Sequence, residues 1–117
     1  MAYDRDNVFA RILRDEVPSD RVYEDQEFVA FRDIAPLAPA HVVLIPRGEP
    51  PASPAELSED DAAWVGRMVL VATRIAAREG LAESGYRLVM NSGPDGGQAV
   101  DHIHMHIVGG AQLEPLA

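Results

Sequence analysis

Three of the four histidines of the 117-residue chain alternate with apolar residues in one segment, residues 102–108. A β-strand turns successive side chains to opposite faces, so this spacing predicts that His102, His104 and His106 share one face of a strand. The opposite face is apolar and can pack on a helix. Three imidazoles are costly to bury unless they are hydrogen-bonded or take part in chemistry. Three purely structural histidines in strict alternation would be unusual, so we expect a functional site here.

Attack on phosphorus is the chemistry that best fits three neighbouring imidazoles. A neutral imidazole nitrogen is available at neutral pH, because the histidine pKa lies at about 6.5. Neighbouring rings can donate hydrogen bonds to a non-bridging phosphoryl oxygen and to the leaving group. A glycine-rich loop, residues 92–100, directly precedes the histidine segment. Its glycines let backbone N–H groups turn toward an anion, so the loop is a candidate phosphate cradle.

A metal site is the competing interpretation of the same segment. Two strand histidines two positions apart have Cα atoms ~7 Å from each other and can share a zinc ion. The outer pair, His102 and His106, is ~13 Å apart by the same rise, too far for all three to bind one ion through bonds of ~2.0–2.1 Å. A zinc site would therefore need two of the three together with groups such as His41 or Asp101.

Hydrophobic spacing predicts the elements that position these residues. It indicates a short helix at residues 7–14 with Asp6 or Asn7 as N-cap, and a long helix that Ser58 opens and Gly80 ends. The predicted strands are residues 21–24, 28–32, 41–46, 86–91 and 102–108. Short strands adjacent in sequence with two unequal helices predict an antiparallel α+β fold. We expect a single domain over residues 1–117, with a core at about residues 6–110 and a C-terminal arm at 111–117.

Charge and composition narrow the class of ligand. A net charge of −9 argues against general nucleic-acid binding, which needs a basic face, although a few local donors can still hold a small anion. The chain contains no cysteine, which excludes disulfides and thiolate sites and favours a cytoplasmic location. No apolar run approaches the ~20 residues of a membrane helix, so we expect no membrane partner.

The segment 102–108 resembles the alternating histidine motif of the histidine triad (HIT) superfamily, in which an apolar residue follows each of three histidines. The chain is similar to the Hint-type branch in four further segments, residues 7–14, 30–36, 38–46 and 86–98. The resemblance implies a five-stranded antiparallel sheet with one long and one short helix. It also implies a homodimer in which the two sheets join.

The activity implied by the resemblance is hydrolysis of purine nucleoside phosphoramidates, such as AMP derivatives, through a nucleotidyl-histidine intermediate and without a metal or other cofactor. His104 would be the nucleophile and His106 would hydrogen-bond the phosphoryl oxygen. His102 and His41 would orient the other two and relay protons. The implied substrate contacts are Asn91, Gly97, Gln98 and Ala99 at the phosphate, Asp33 at the ribose, and Phe9, Ile12, Phe31 and Ile34 around the base.

Three departures from the Hint-type pattern bear on turnover and leaving-group preference. Ala99 stands where these enzymes commonly place a serine beside the phosphate, so a hydroxyl contact to the leaving group is missing. Arg32 replaces a frequent histidine and could either aid ribose binding or face solvent. The sequence stops at Ala117 without the aromatic tail that shapes specificity in some members.

Two other functions remain open on the same residues. A dinucleoside polyphosphate hydrolase would use the same nucleophile with a different leaving group. A nucleotide-binding sensor or adaptor would bind the nucleotide and turn over slowly, a role that Ala99 favours.

Overall fold

The computed structural model describes residues 3–116, and Met1, Ala2 and Ala117 lie outside the described residues together with the corresponding ends of the predicted domain and arm. Five antiparallel strands form one sheet in the order β1-β2-β3-β5-β4. Their bounds are β1 Arg21–Glu24, β2 Phe28–Arg32, β3 Ala40–Pro46, β4 Tyr86–Val89 and β5 Met105–Gly109. Two α-helices accompany the sheet, α1 Val8–Leu13 and α2 Ala62–Arg78. The predicted α+β fold with one long and one short helix is confirmed.

The long helix α2 covers one face of the sheet. Ser58 and Asp61 form the capping box that the sequence predicts, although the first turn, Glu59–Asp61, is a 3₁₀-helix and α2 begins after it. The buried face of α2 packs on alternate residues of the central strands, including Met105 and Ile107 of β5. The helix-facing residues of this cluster are Met68, Val71, Ala72, Ile75 and Ala76.

The short helix α1 covers part of the opposite face. Its N-cap is Asn7, whose side-chain oxygen accepts the N–H of Ala10 at 2.9 Å. Phe9 and Ile12 point from α1 into a second apolar cluster whose sheet residues are Val29, Phe31, Val43 and Ile45. Helix α1 is only six residues long, and the sheet residues of its apolar cluster come from β2 and β3 and not from β5 or β4.

The last strand differs from its prediction, since β5 begins at Met105 rather than at residue 102. The pairing of β5 with β3 starts at Met105 opposite Leu44. Before that point, the N–H of Ile103 donates to the carbonyl of Pro51, outside the sheet. His102 and His104 therefore lie in a short extended segment that leads into the strand. Strand β4 is also shorter than predicted and ends at Val89.

Among the described residues, no helix combines the length and the hydropathy needed to cross a membrane. The chain after β5, residues 110–116, contains no helix or strand and runs beside β4, where Arg87 donates to the carbonyl of Glu114 at 2.9 Å.

Candidate active site

The four histidines meet on the face of the sheet that α2 does not cover. His106 of β5 lies opposite Val43 of β3, and His41 lies beside it on β3. The ring centroids of His41 and His106 are 5.1 Å apart, and those of His104 and His106 are 5.0 Å apart. The predicted clustering of imidazoles is therefore observed, although only His106 of the three lies within a strand.

Hydrogen bonds fix which nitrogen of His41 and His106 carries the proton. The backbone N–H of Leu37 donates to Nδ1 of His41 at 3.1 Å, so Nδ1 is an acceptor and the neutral ring carries its proton on Nε2. That Nε2 lies 2.9 Å from Nδ1 of His106 and donates to it. The neutral His106 ring must then carry its own proton on Nε2. This chain of bonds makes Nε2–H of His106 a hydrogen-bond donor to a ligand.

The opposite arrangement holds at His104. Its Nδ1 lies 2.7 Å from the carbonyl oxygen of His102, which can only accept, so Nδ1 carries the proton. The lone pair of the neutral ring is therefore on Nε2. In the described part of the chain every buried side-chain nitrogen and oxygen has a hydrogen-bond partner, and Nε2 of His104 has none, so Nε2 is open to solvent. Although His104 as a whole is only 5% exposed, its unprotonated nitrogen is accessible.

Burial favours the neutral form of the His102, His104 and His106 rings. Burial lowers the pKa of His102 to about 4. The pKa of His106 is also lowered to about 4, first by burial and then by the neighbouring His104 and His41. Burial likewise lowers the pKa of His104 below its ordinary value. A nucleophilic nitrogen must be unprotonated, so these shifts suit attack at neutral pH.

An open cavity of about 560 Å³ adjoins His41 and His106. Asn91 and Arg87 line it from the β4 side, and the C-terminal segment forms its outer wall through Leu113, Glu114, Pro115 and Leu116. The cavity is large enough for part of a nucleotide, since small-molecule sites typically measure about 300–1,000 Å³.

The glycine-rich loop is held in shape by its own side chains. Oε1 of Gln98 accepts the N–H of Gly93 at 2.9 Å, while its Nε2 donates to the carbonyls of Ala52 and Val100. The N–H of Gly97 donates to the Pro94 carbonyl at 3.0 Å. The Gln98 side chain and the Gly97 amide therefore maintain the loop in this structure, and their phosphate contacts stay predictions.

Two other donors remain available for an anion. The side-chain NH2 group of Asn91, beside the cavity, uses one hydrogen for the carbonyl of Gly96 at 2.7 Å and keeps a second hydrogen. Among the described residues, the backbone N–H of Ala99 has no hydrogen-bond acceptor. Asn91 and the Ala99 amide are therefore the groups of the predicted cradle that keep a free donor.

Of the four predicted base-pocket residues, Phe9 contacts the histidine cluster, and none of the four lines the cavity. Phe9 contacts His104 edge-on, with ring centroids 4.9 Å apart. Phe9, Ile12 and Phe31 are 6–8% exposed and pack on one another, whereas Ile34 is 98% exposed on the following loop. None of these four lines the cavity that contains His41 and His106.

The predicted ribose-binding residues lie in different places. Oδ2 of Asp33 is 3.5 Å from Nε2 of His41, so Asp33 belongs to the histidine cluster. Arg32 pairs with Val42 across the strands and points to the α2 face, where it bonds Glu79. This places the Arg32 side chain on the face of the sheet opposite His41, which favours the solvent-facing interpretation over ribose binding.

Several groups that the sequence analysis missed hold the histidines in place. They are the hydroxyl of Tyr3, the backbone N–H of Leu37 and the carbonyl oxygens of Pro46 and Pro51. Three of these four are backbone groups, which no residue type reveals. Tyr3 lies 99 positions from its partner His102, and no local pattern joins them.

Asp33, His41 and His106 together present three ligand atoms that lie within 4.8 Å of one another, as a metal site would require. Binding through Nε2 of His41 would require the proton to move to Nδ1. Nδ1 would then face the N–H of Leu37, a donor against a donor. The hydrogen bonds of the cluster therefore favour the protonated Nε2 over a metal-bound one.

Comparison with known proteins gives the family. The HIT domain model matches residues 14–113, which is most of the chain. The chain belongs to the HIT domain family. It is 49% identical over 111 residues to the purine nucleoside phosphoramidase of Escherichia coli (strain K12), covering 95% of this chain and 92% of that protein.

Solved structures of HIT proteins share the fold. A HIT family hydrolase from Legionella pneumophila Philadelphia 1 superposes with a TM-score of 0.88 at 41% identity, covering 92% of this chain and 95% of that chain. A histidine triad protein from Clostridium difficile superposes with a TM-score of 0.91 at 34% identity, covering 99% and 100% of the two chains.

Proposed function

We propose that this HIT protein hydrolyses purine nucleoside phosphoramidates through a covalent nucleotidyl-His104 intermediate. The observation that carries the proposal is the pair of complementary nitrogens on adjacent rings. Nε2 of His104 offers an accessible lone pair, and Nε2 of His106 offers a proton, with the two ring centroids 5.0 Å apart. Its relative in E. coli is named a purine nucleoside phosphoramidase, which supports the choice of substrate.

In the first step, Nε2 of His104 attacks phosphorus and the P–N bond breaks. The leaving nitrogen takes a proton from solvent water and departs as an amine, and this proton is balanced by the one that water releases in the second step. Nε2–H of His106 donates to a non-bridging phosphoryl oxygen and stabilises the charge that develops there. The backbone N–H of Ala99 supplies a second donor from the loop.

In the second step, water attacks phosphorus and the bond to Nε2 of His104 breaks, which releases a nucleoside monophosphate. The water loses one proton in this step, and the proton passes to solvent, because Nε2 of His106 already carries a proton and Nδ1 of His106 accepts from His41. We assign His102 to positioning, because both of its ring nitrogens are already hydrogen-bonded. Contacts of Asp33 with the ribose and of Phe9, Ile12, Phe31 and Ile34 with the base remain part of the proposal.

The test is steady-state hydrolysis of adenosine 5′-phosphoramidate, with mass spectrometry of the trapped protein. Wild type should form an adenylyl adduct on His104, and His104→Ala should lose turnover while its affinity for AMP stays within about threefold of wild type. Retained AMP binding is the control for folding. Unchanged turnover in His104→Ala, or an adduct on another residue, refutes the proposed nucleophile.

The same assay separates the two alternative functions. A dinucleoside polyphosphate hydrolase would cleave diadenosine tetraphosphate faster than the phosphoramidate. A sensor or adaptor would give a burst of adenylyl-enzyme without continued turnover. Ala99 is the residue that favours the slow alternative, so Ala99→Ser should speed release of poor leaving groups if the missing hydroxyl limits turnover.

A homodimer is the assembly that the exposed edge of β4 supports. Within residues 3–116, strand β4 pairs with β5 alone, and an unpaired edge is a template for another strand. On α2, which covers the adjacent face, Val69 and Leu70 are 39% and 58% exposed. We place the second copy against β4 and α2, so that the two sheets become continuous.

Light scattering with matched valine variants tests this interface. Val69 and Val8 are both helical and both 39% exposed, but Val8 lies on α1. Val69→Glu should convert the dimer to a monomer, whereas Val8→Glu should remain dimeric. A monomeric wild type, or an unaffected Val69→Glu dimer, contradicts the assignment. The cytoplasmic location and the absence of nucleic-acid partners stay predictions from the sequence.

A further inference from the structure

Tyr3 contacts the first histidine of the cluster from outside all of the helices and strands. Its hydroxyl oxygen lies 2.6 Å from Nδ1 of His102, and the two rings meet edge to face with centroids 5.7 Å apart. Tyr3 is half-buried, whereas the His102 ring is completely buried. The mechanism proposed above assigns no task to this tyrosine.

The direction of the hydrogen bond follows from the other side of the ring. Nε2 of His102 lies 2.8 Å from the carbonyl oxygen of Pro46, which can only accept. Nε2 therefore carries the proton of the neutral ring, and Nδ1 carries the lone pair. The hydroxyl of Tyr3 must donate to Nδ1.

Residue 102 is connected to the nucleophile through its backbone. The carbonyl oxygen of His102 accepts Nδ1–H of His104 at 2.7 Å. This bond sets both the proton position and the rotation of the His104 ring, and hence the direction of the lone pair on Nε2. A change in the placement of residue 102 is thereby passed directly to the attacking atom.

We propose that Tyr3 is a positioning residue for the nucleophile, which acts by locking His102 in one ring orientation. The inference rests on the proposed function of His104. Without the hydroxyl, Nδ1 of the fully buried ring loses its donor, and an unsatisfied buried acceptor is unfavourable. The ring then keeps only its bond to the Pro46 carbonyl and can tilt or admit water. A tilt of the ring shifts the backbone of residue 102, and the carbonyl that holds His104 moves within the limits set by the bond from Ile103 to Pro51.

The central variant is Tyr3→Phe, which keeps the ring and removes only the hydroxyl. We expect kcat for adenosine 5′-phosphoramidate to fall by about 2- to 10-fold, the effect of one hydrogen bond, with KM unchanged. The matched control is Tyr23→Phe. It removes a hydroxyl that donates to Asp25 at 2.7 Å in the β1–β2 hairpin, and it should leave kcat unchanged.

A second readout follows the His102 ring itself in the free protein. Nitrogen-15 NMR of histidine-labelled wild type should show Nε2 of His102 protonated and Nδ1 as a hydrogen-bonded acceptor. Tyr3→Phe should shift the Nδ1 resonance of His102, and Tyr23→Phe should not. Because this measurement needs no substrate, it tests the contact even if the phosphoramidate activity proves wrong.

The His102→Gln background separates positioning from a general loss of stability. Glutamine keeps an N–H for the Pro46 carbonyl but offers no acceptor at the place of Nδ1, so Tyr3→Phe should cause no further loss of kcat there. An equal loss of kcat in both backgrounds overturns the proposal, as does an unshifted Nδ1 resonance in Tyr3→Phe.

Discussion

Protonation of His102 should couple the stability of this protein to pH. The ring is completely buried, and burial lowers its pKa to about 4, whereas histidine in an unfolded chain titrates at about 6.5. A group whose pKa is lower in the folded state binds more protons in the unfolded state at intermediate pH. Its contribution to stability is therefore complete above about pH 6.5 and is lost as the pH falls toward about 4.

The magnitude follows from the gap between the two pKa values. A difference of about 2.5 pH units corresponds to roughly 3 kcal/mol of unfolding free energy. His102→Gln removes the titrating group and retains a donor for the carbonyl of Pro46. The substitution changes stability at neutral pH by a fixed amount, but that offset does not alter the dependence on pH.

Urea denaturation of the two proteins between about pH 7.5 and about pH 4.5, at one protein concentration, measures the difference. Across this range, the unfolding free energy of wild type should fall further than that of His102→Gln, and the difference should be most of the roughly 3 kcal/mol. His106 titrates in both proteins, so its contribution largely cancels in the comparison. Parallel curves for the two proteins would refute the assignment of a buried, neutral His102.

Other substitutions test single contacts of the site. His106→Phe should lower kcat by about 100- to 1,000-fold in steady-state kinetics, because it removes the Nε2–H donor. The affinity for AMP, measured separately, is the control for binding. Gln98→Ala should raise KM and lower the unfolding free energy by roughly 1–3 kcal/mol, since three hydrogen bonds of the loop are lost; an unchanged melting temperature contradicts this. Arg32→Ala should leave AMP affinity unchanged in calorimetry, because Arg32 bonds Glu79 on the face of the sheet opposite the histidines. It should lower the unfolding free energy by less than about 1 kcal/mol, because the ion pair is partly exposed.

Local patterns were sufficient for much of the fold. The capping box at Ser58 and the apolar face that includes Met68 depend on residues within a few positions of one another. For the same reason, the hairpin of β1 and β2 could be placed to the residue from its polar turn.

The beginning of β5 could not be predicted in this way. Alternation of histidine and apolar residues favours a strand from residue 102, but the backbone before Met105 is drawn away by distant partners. Ile103 donates to Pro51, and the ring of His102 occupies the carbonyl of Pro46. The two interpretations of Arg32 could not be separated from the sequence for a related reason, because the face of the sheet on which Arg32 lies depends on the register with β3.

The site itself was predictable in its residue types and not in its proton positions. Three histidines in alternation indicate that imidazole chemistry takes place. The assignment of the attacking and the donating nitrogen depends on the backbone N–H of Leu37 and the backbone carbonyl of His102. Every residue type except proline has a backbone N–H, and every residue type has a backbone carbonyl, so the residue types do not reveal these contacts.

At Leu37, the side chain and the backbone N–H have separate effects on the site, so substitution can change the first and keep the second. The side chain of Leu37 is 82% exposed and borders the cavity, so its size and polarity can change without loss of core packing. Its backbone N–H sets the proton position on His41 and, through it, the proton on Nε2 of His106, which the proposed mechanism directs at the phosphoryl group. Substitutions of the Leu37 side chain can therefore change the substrate range without changing which histidine nitrogen carries the proton. Proline is the exception, because it has no backbone N–H to donate to His41.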